Sequence, residues 1–328
     1  MTATAQSSPA SRSLTAQAGE ASAVVFVEPH RLIMERLTLD PPGDGDVVVQ
    51  VQWSGISTGT ERLLWNGRMP AFPGMGYPLV PGYESVGRVR AAGAASGWEV
   101  GSFVFVPGAR CFGDVRGLFG GAASRLVAPG DRVRPVPAEL SGNAVLLALA
   151  ATAWHIVDSG IPDLIIGHGV LGRLVARIAM LRGAAAPTVW ETNAQRRVGA
   201  TGYSVVDPAD DQGSAYRRIC DVSGDPDLLD TLVSRLAPGG EIVLAGFYSE
   251  RLSFAFAPAF MREARIRVAA EWQSADLDAV IALTATGELS LDGLISHRRP
   301  ASDAQSAYET AFSDPDCLKM ILDWRDFS

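Results

Sequence analysis

Three branched apolar residues, Leu164-Ile165-Ile166, run straight into Gly167-His168-Gly169-Val170-Leu171-Gly172, and from Leu171 the chain becomes amphipathic with helical spacing. A buried strand, a glycine turn and a helix in immediate succession are the opening of a βαβ unit. Gly167 permits the tight turn, Gly169 lets the backbone approach a pyrophosphate, and Gly172 lets helix pack on strand. Unpaired amides and the positive end of the macrodipole favour an anion at that helix start. The next strand pattern ends at Glu191, 19 residues after Gly172, against the roughly 20 expected for an acid that binds a ribose 2′-hydroxyl. Gly167, Gly169, Val170, Leu171, Gly172 and Glu191 are therefore the expected dinucleotide contacts. Arg196 and Arg197 follow, and arginines there accept the 2′-phosphate of NADP, but a carboxylate at the strand end repels it. The expected cofactor is NAD.

Strands and helices alternate around this motif. Strand patterns fall at Leu164–Ile166, Thr188–Glu191, Ser204–Val206, Arg218–Val222, Glu241–Ala245 and Arg265–Ala270, with helices near Leu171–Leu181, Asn193–Val198 and Leu228–Leu236. Six strands with helical crossovers predict a Rossmann-type, doubly wound parallel sheet of the α/β class. A helix pattern over Asn143–Val157 precedes them; a helix over Ser302–Phe312 and a strand over Leu318–Asp323 follow. From Ala23 to about Pro137 the pattern is different. Val47–Trp53, Ser85–Val89, Phe103–Val106 and Arg125–Val127 are short strands separated by Pro-Gly turns, which reads as a β-rich domain.

At 328 residues the chain is too long for one ordinary core. A net charge of −8 with no Lys/Arg block argues against nucleic-acid partners and anionic membranes. Cys111, Cys220 and Cys317 are odd in number and far apart, as expected of free thiols in a reducing, cytoplasmic setting. The most apolar stretch, Ala144–Val157, falls short of the roughly 20 residues a membrane span requires. Residues 1–22, rich in Ser, Ala and Thr, read as a disordered tail rather than a signal peptide.

Several further segments stand out: Ser54-Gly55-Ile56-Ser57-Thr58-Gly59-Thr60-Glu61, Pro78–Gly87 with Gly82-Tyr83-Glu84, Thr152-Ala153-Trp154-His155, Leu236–Gly240 and Leu294–Arg298. With the Gly167–Gly172 motif, they make the chain resemble the medium-chain dehydrogenase/reductase family. The resemblance implies a GroES-like catalytic domain over 23–142 and 289–328, with the cofactor domain, 143–288, inserted between them. It also implies an active site in the cleft, Thr152 as a further cofactor contact, and a homodimer joined by edge strands of the cofactor domains. Leu252–Ala257, which alternates, is the expected edge.

Zinc-dependent members of the family place a Cys, a His and a third ligand where this chain has Ser57, Tyr83 and Ala148, and the four-cysteine lobe of a structural zinc is missing. The resemblance is thus to a zinc-free branch, with no metal site. It implies NAD-dependent oxidation of a hydroxyethyl group on a chlorin macrocycle to an acetyl group. The alternatives are an NADPH-dependent enoyl or quinone reductase, and a dinucleotide-binding regulator without turnover.

Tyr83 has two readings, a catalytic phenol or a packed aromatic after a turn. An ordinary phenol, with a pKa near 10, is a poor base at neutral pH unless a neighbour stabilises phenolate. Ser57 is expected to orient the substrate hydroxyl, and Glu84 to support the site or act as base. His155 reads as a satisfied interior histidine, His168 is unassigned, and His30 and His297 have no ligand-spaced partners. Trp65, Phe72 and Tyr77, with Met69 and Met75, form an aromatic-rich loop before Tyr83 that suits a flat macrocycle.

Overall fold

The computed structural model describes residues 19–327, so residues 1–18 of the expected tail lie outside the described residues. Glu20–Ser22, placed in that tail by the sequence, instead open a strand, Glu20–Glu28, paired antiparallel with Arg31–Thr38. Two compact units are present. The first runs to Leu146 and resumes at Ile295; the second is Leu147–Leu294.

The first unit is built on two sheets. Four strands are ordered Arg31–Thr38, Glu20–Glu28, Leu79–Val80, Arg116–Gly117. The larger sheet is ordered His297–Pro300, Met320–Asp323, Asp46–Ile56, Ser85–Ala92, Phe103–Val106, Arg134–Pro135, and Arg125–Pro129 also pairs with Asp46–Ile56. Val47, Val48 and Val49 are all fully buried. The strand they belong to is covered on both faces, so it reads as an unbroken apolar run rather than an alternation. Phe26, Leu126, Tyr308 and Trp324 fill the same core. The C-terminal strand Met320–Asp323 pairs antiparallel with Ile56–Trp53 and so brings the chain's end back beside its first third.

The second unit holds six parallel strands in the order Ser204–Val206, Thr188–Trp190, Leu164–Ile166, Tyr216–Asp221, Leu236–Leu244, Arg265–Val268. Chain order reverses between Leu164–Ile166 and Tyr216–Asp221. The carboxyl ends of strands at such a switch point are where α/β sheets bind ligands. Asn193–Val198 is not a full helix but a 3₁₀ turn, Ala194–Arg197, capped by the Asn193 side chain.

Two expectations fail here. Leu252–Ala257 is not an edge strand: Phe256–Met261 is a helix, with Asp230 accepting the amide of Ala255 and Pro258 in the first turn, where a missing N–H costs nothing. The open edge on that side is Arg265–Val268, which among the described residues pairs only with Leu236–Leu244. The apolar segment is also longer than its sequence suggests, since a kinked 3₁₀ stretch, Ala138–Leu146, leads into the helix Leu147–Asp158. Those 21 residues are long and apolar enough to cross a membrane by length and composition. They are broken at Ser141, and 61% of the apolar window is buried inside the protein, as in a core helix.

Candidate active site

In the first unit, Ser54 lies opposite Ser85, so the chain just after Ile56 and the chain just before Ser85 emerge at one end of the sheet. That register brings Ser57 and Tyr83 together: the Tyr83 hydroxyl donates to Ser57 Oγ at 2.8 Å, and Thr60 Oγ1 lies 3.4 Å from the phenol oxygen. The Tyr83 ring meets Phe119 edge-on. A Cβ at Gly55 would fall 2.1 Å from Glu84 Oε2, so only glycine lets this strand pass the acid.

Beneath the pair is a fully buried set of charges. Lys319 Nζ forms an ion pair with Glu84 Oε2, and both side chains are sealed from solvent. Glu84 Oε1 is buried without a hydrogen-bond partner among the described residues. Glu61, also fully buried, accepts the Ser57 amide on Oε1 at 3.0 Å and the Tyr308 hydroxyl on Oε2 at 2.8 Å. Burial and the nearby Glu84 charge raise the Glu61 carboxyl to about 7, against the lowering pull of its bond to the Ser57 amide. Burial likewise raises Glu84, while Lys319 pulls it down. Tyr83 is pushed well above the usual phenol range by burial and by the charges of Glu84 and Glu61. The neighbours thus oppose phenolate, and Tyr83 is a hydrogen-bond donor at neutral pH rather than a base.

The aromatic loop is not gathered into one wall. Trp65 packs against Phe26, His30 and Phe312 at the edge of the core, and the Tyr77 hydroxyl donates to the Leu64 carbonyl. Phe72 is exposed, whereas Met69 is buried in the core.

In the second unit, Gly167 has φ +100°, which a side chain would strain, and a Cβ at Gly172 would sit 1.9 Å from the Gly167 carbonyl oxygen. Nothing lies within 4 Å of a Cβ built at Gly169. That residue caps the helix Val170–Leu181 without any side-chain bond, so the amides there remain available to a pyrophosphate. Glu191 is held by two backbone amides, Asn193 N on Oε1 at 2.9 Å and His168 N on Oε2 at 3.0 Å. His168, unassigned from sequence, is buried: Nδ1 lies 2.6 Å from the Arg196 carbonyl and Nε2 2.7 Å from the Tyr203 hydroxyl. A carbonyl can only accept, so Nδ1 carries the proton and Nε2 accepts from Tyr203. Burial lowers this imidazole to about 4, so it is neutral at physiological pH. Arg173, buried in the helix, donates to the carbonyls of His168, Arg196 and Val198 and ties the same loop to the motif. Arg197 is engaged by Asp207 at 2.8 Å and by the Glu191 carbonyl. Thr152 Oγ1 bonds back to the Ala148 carbonyl of its own helix, and His155 bonds Asp276 at 3.0 Å.

The alcohol dehydrogenase GroES-like domain model matches residues 43–138. The chain is 56% identical to a 2-desacetyl-2-hydroxyethyl bacteriochlorophyllide A dehydrogenase of Rhodobacter capsulatus, over 94% of this chain and 99% of that one. The chain belongs to the medium-chain dehydrogenase/reductase family. Among solved structures of the medium-chain fold, it superposes on a short chain alcohol dehydrogenase from E. coli CFT073 complexed with NADH (TM-score 0.79, 21% identity, 93% and 99% of the two chains). It also superposes on a putative zinc-binding dehydrogenase from Sinorhizobium meliloti 1021 bound to NADP (TM-score 0.77, 22% identity, 93% and 99%). Both superpositions show the shared fold.

Zinc, which many medium-chain enzymes hold, does not fit these residues. Ser57 and Tyr83 are bonded to each other, Ala148 has no donor atom, Glu61 is engaged on both oxygens by Ser57 and Tyr308, and Glu84, with one oxygen paired to Lys319, leaves a single carboxylate oxygen where zinc needs three protein ligands. Among the described residues no three His, Cys, Asp or Glu are grouped to hold a metal.

Sequence reasoning missed Glu61 as a site residue, together with Tyr308 and Lys319. One signal was in view: Lys319 is the only lysine in a chain with 27 arginines. A position that keeps lysine against that bias needs a compact ammonium on a flexible stem.

Proposed function

We propose that the chain catalyses NAD-dependent oxidation of the hydroxyethyl side chain of a bacteriochlorophyllide to an acetyl group, a step of bacteriochlorophyll biosynthesis. The observation that carries this is 56% identity along essentially the whole length of a dehydrogenase named for that substrate. The site chemistry agrees with it. Oxidation of a secondary alcohol removes a hydride from carbon, for which bound NAD is the acceptor, and a proton from oxygen, which passes to solvent water. Negative charge builds on the substrate oxygen as the hydride leaves, and hydrogen bonds must hold it where no metal does. Tyr83 donates to Ser57 Oγ, which leaves the serine proton free to bond that oxygen.

NAD rather than NADP is favoured because Glu191 follows the strand Thr188–Trp190, where an acid suits a ribose diol, with both oxygens oriented by backbone amides, while Arg197 is neutralised by Asp207. A cytoplasmic location fits three free, buried thiols. A homodimer fits the open edge Arg265–Val268 beside exposed Phe256, Phe260 and Met261.

The test is the absorption spectrum of the protein with hydroxyethyl bacteriochlorophyllide and NAD. A red shift of the longest-wavelength band reports a new carbonyl conjugated with the ring. No shift, alongside NADPH-dependent reduction of quinones or enones, would replace this reading with the reductase one. NAD binding with neither reaction would leave a regulator.

A further inference from the structure

Glu61 lies in the first unit, one turn of chain beyond Ser57, and is held more fully than its place on a short helix would require. It is fully buried, and every hydrogen bond it makes comes from a named donor: the Ser57 amide on one oxygen and the Tyr308 hydroxyl on the other. It is also held at the backbone, since its amide donates to the Ser57 carbonyl at 3.1 Å. Ser57 is thus gripped at both its N–H and its C=O by one residue in the first turn of the helix Thr60–Trp65. Tyr308, fully buried in the helix Ala304–Ser313, fixes the far oxygen from the C-terminal segment.

We propose that Glu61 is a positioning residue whose ionised carboxylate, anchored by Tyr308, holds Ser57 so that its hydroxyl meets both Tyr83 and the substrate oxygen. This rests on the reading that Ser57 and Tyr83 handle the alcohol. Both side-chain contacts are donations into Glu61, which is what a carboxylate accepts without conflict. A proton on either oxygen introduces a buried donor facing the Tyr308 hydroxyl or the Ser57 amide, and one bond must turn or break. The charged groups facing Glu61 are Glu84, which disfavours its charge, and Lys319, which favours it; Tyr308 and Tyr83 remain neutral phenols. Because the carboxyl titrates at about 7, the competent arrangement is gained as pH rises through neutrality. Lost positioning at a reacting atom costs on the order of 10²-fold in rate.

The experiment has two arms. In the first, kcat with hydroxyethyl chlorin at saturating NAD is followed across neutrality. Wild type should rise with pH through a limb near 7, Glu61→Gln should lose that limb while keeping a carbonyl acceptor for the Ser57 amide, and Glu61→Ala should fall by about 10²-fold with the KM for NAD unchanged. Combining Glu61→Ala with Ser57→Ala should cost little more than the worse single change, because one acts through the other. The second arm needs no turnover: the Ser57 amide resonance should titrate near 7 in wild type and not in Glu61→Gln, with Tyr308→Phe shifting its midpoint. A chlorin that is not oxidised by wild type sinks the proposed activity alone. A Ser57 amide that does not titrate, a limb that survives in Glu61→Gln, or additive losses in the double variant overturns the role of Glu61.

Discussion

Burial and two neighbouring carboxylates keep the Tyr83 proton in place, and that proton is directed at Ser57 Oγ. A donor chain of this kind does for an alkoxide what a Lewis acid does elsewhere, by hydrogen bonds already oriented before charge develops. Removing one such donor typically costs about 10²–10³ in turnover. Tyr83→Phe and Ser57→Ala should therefore each slow single-turnover oxidation by about that factor, while NAD affinity measured by fluorescence titration stays at the wild-type value. A Tyr83→Phe enzyme of full speed would show that the phenol only packs against Phe119. Dialysis against a strong chelator should leave the rate alone, provided the substrate keeps its ring magnesium. Zinc in stoichiometric amount, with activity lost on chelation and restored by zinc, would contradict the donor set described above.

At the scale of elements, the phosphate loop and the segment after Thr188–Trp190 behave as one piece. Glu191 receives an amide from each, His168 bridges Arg196 and Tyr203, and Arg173 bonds three carbonyls across them. The carboxylate is fixed by the loop itself, so in the proposed role it meets a ribose diol without a loop having to order first. Losing a charge-assisted hydrogen bond costs about 1.5–3 kcal/mol, so Glu191→Ala should weaken NAD roughly ten- to hundredfold and relieve repulsion of NADP. Calorimetric titration with both dinucleotides checks this, and an unchanged NAD affinity removes Glu191 from the site. This element was legible because its signals are local: Leu164–Ile166 and Ser204–Val206 have the bounds their sequence suggests, and Glu191 falls one residue beyond its strand. Glu61 and Tyr308 are 247 residues apart, and Glu84 and Lys319 are 235 apart. Nothing periodic links such positions; the antiparallel return of Met320–Asp323 onto Asp46–Ile56 and the packing of Tyr308 on Phe26 bring the C-terminal segment within reach. The Leu252–Ala257 alternation misled for the opposite reason. A two-residue period also arises by chance in an extended lead-in to a helix, and Pro258 with the Asp230 contact marked that helix instead.

For the whole molecule the open question of assembly comes down to one edge. Among the described residues no strand pairs with the outer side of Arg265–Val268, and an unprotected edge invites pairing with another chain. Native edges are commonly blunted by charge; this one carries Arg265 and Arg267 but also Ile266 and Val268, and Val268 is 71% exposed. The adjoining helix shows Phe256, Phe260 and Met261, each exposed by more than two thirds (72%, 68% and 78%). An apolar patch of this kind beside a free edge suits a second copy of the same chain, because a two-fold axis lets each edge satisfy its twin and covers both patches at once. Sedimentation at micromolar concentration should give twice the chain mass of 34.6 kDa. Placing glutamate at both Val268 and Phe260 sets like charges against each other across the axis, and should shift the protein to 34.6 kDa while the Glu191-bearing loop still binds NAD. A wild-type monomer, or a dimer indifferent to both substitutions, would place the interface elsewhere or remove it.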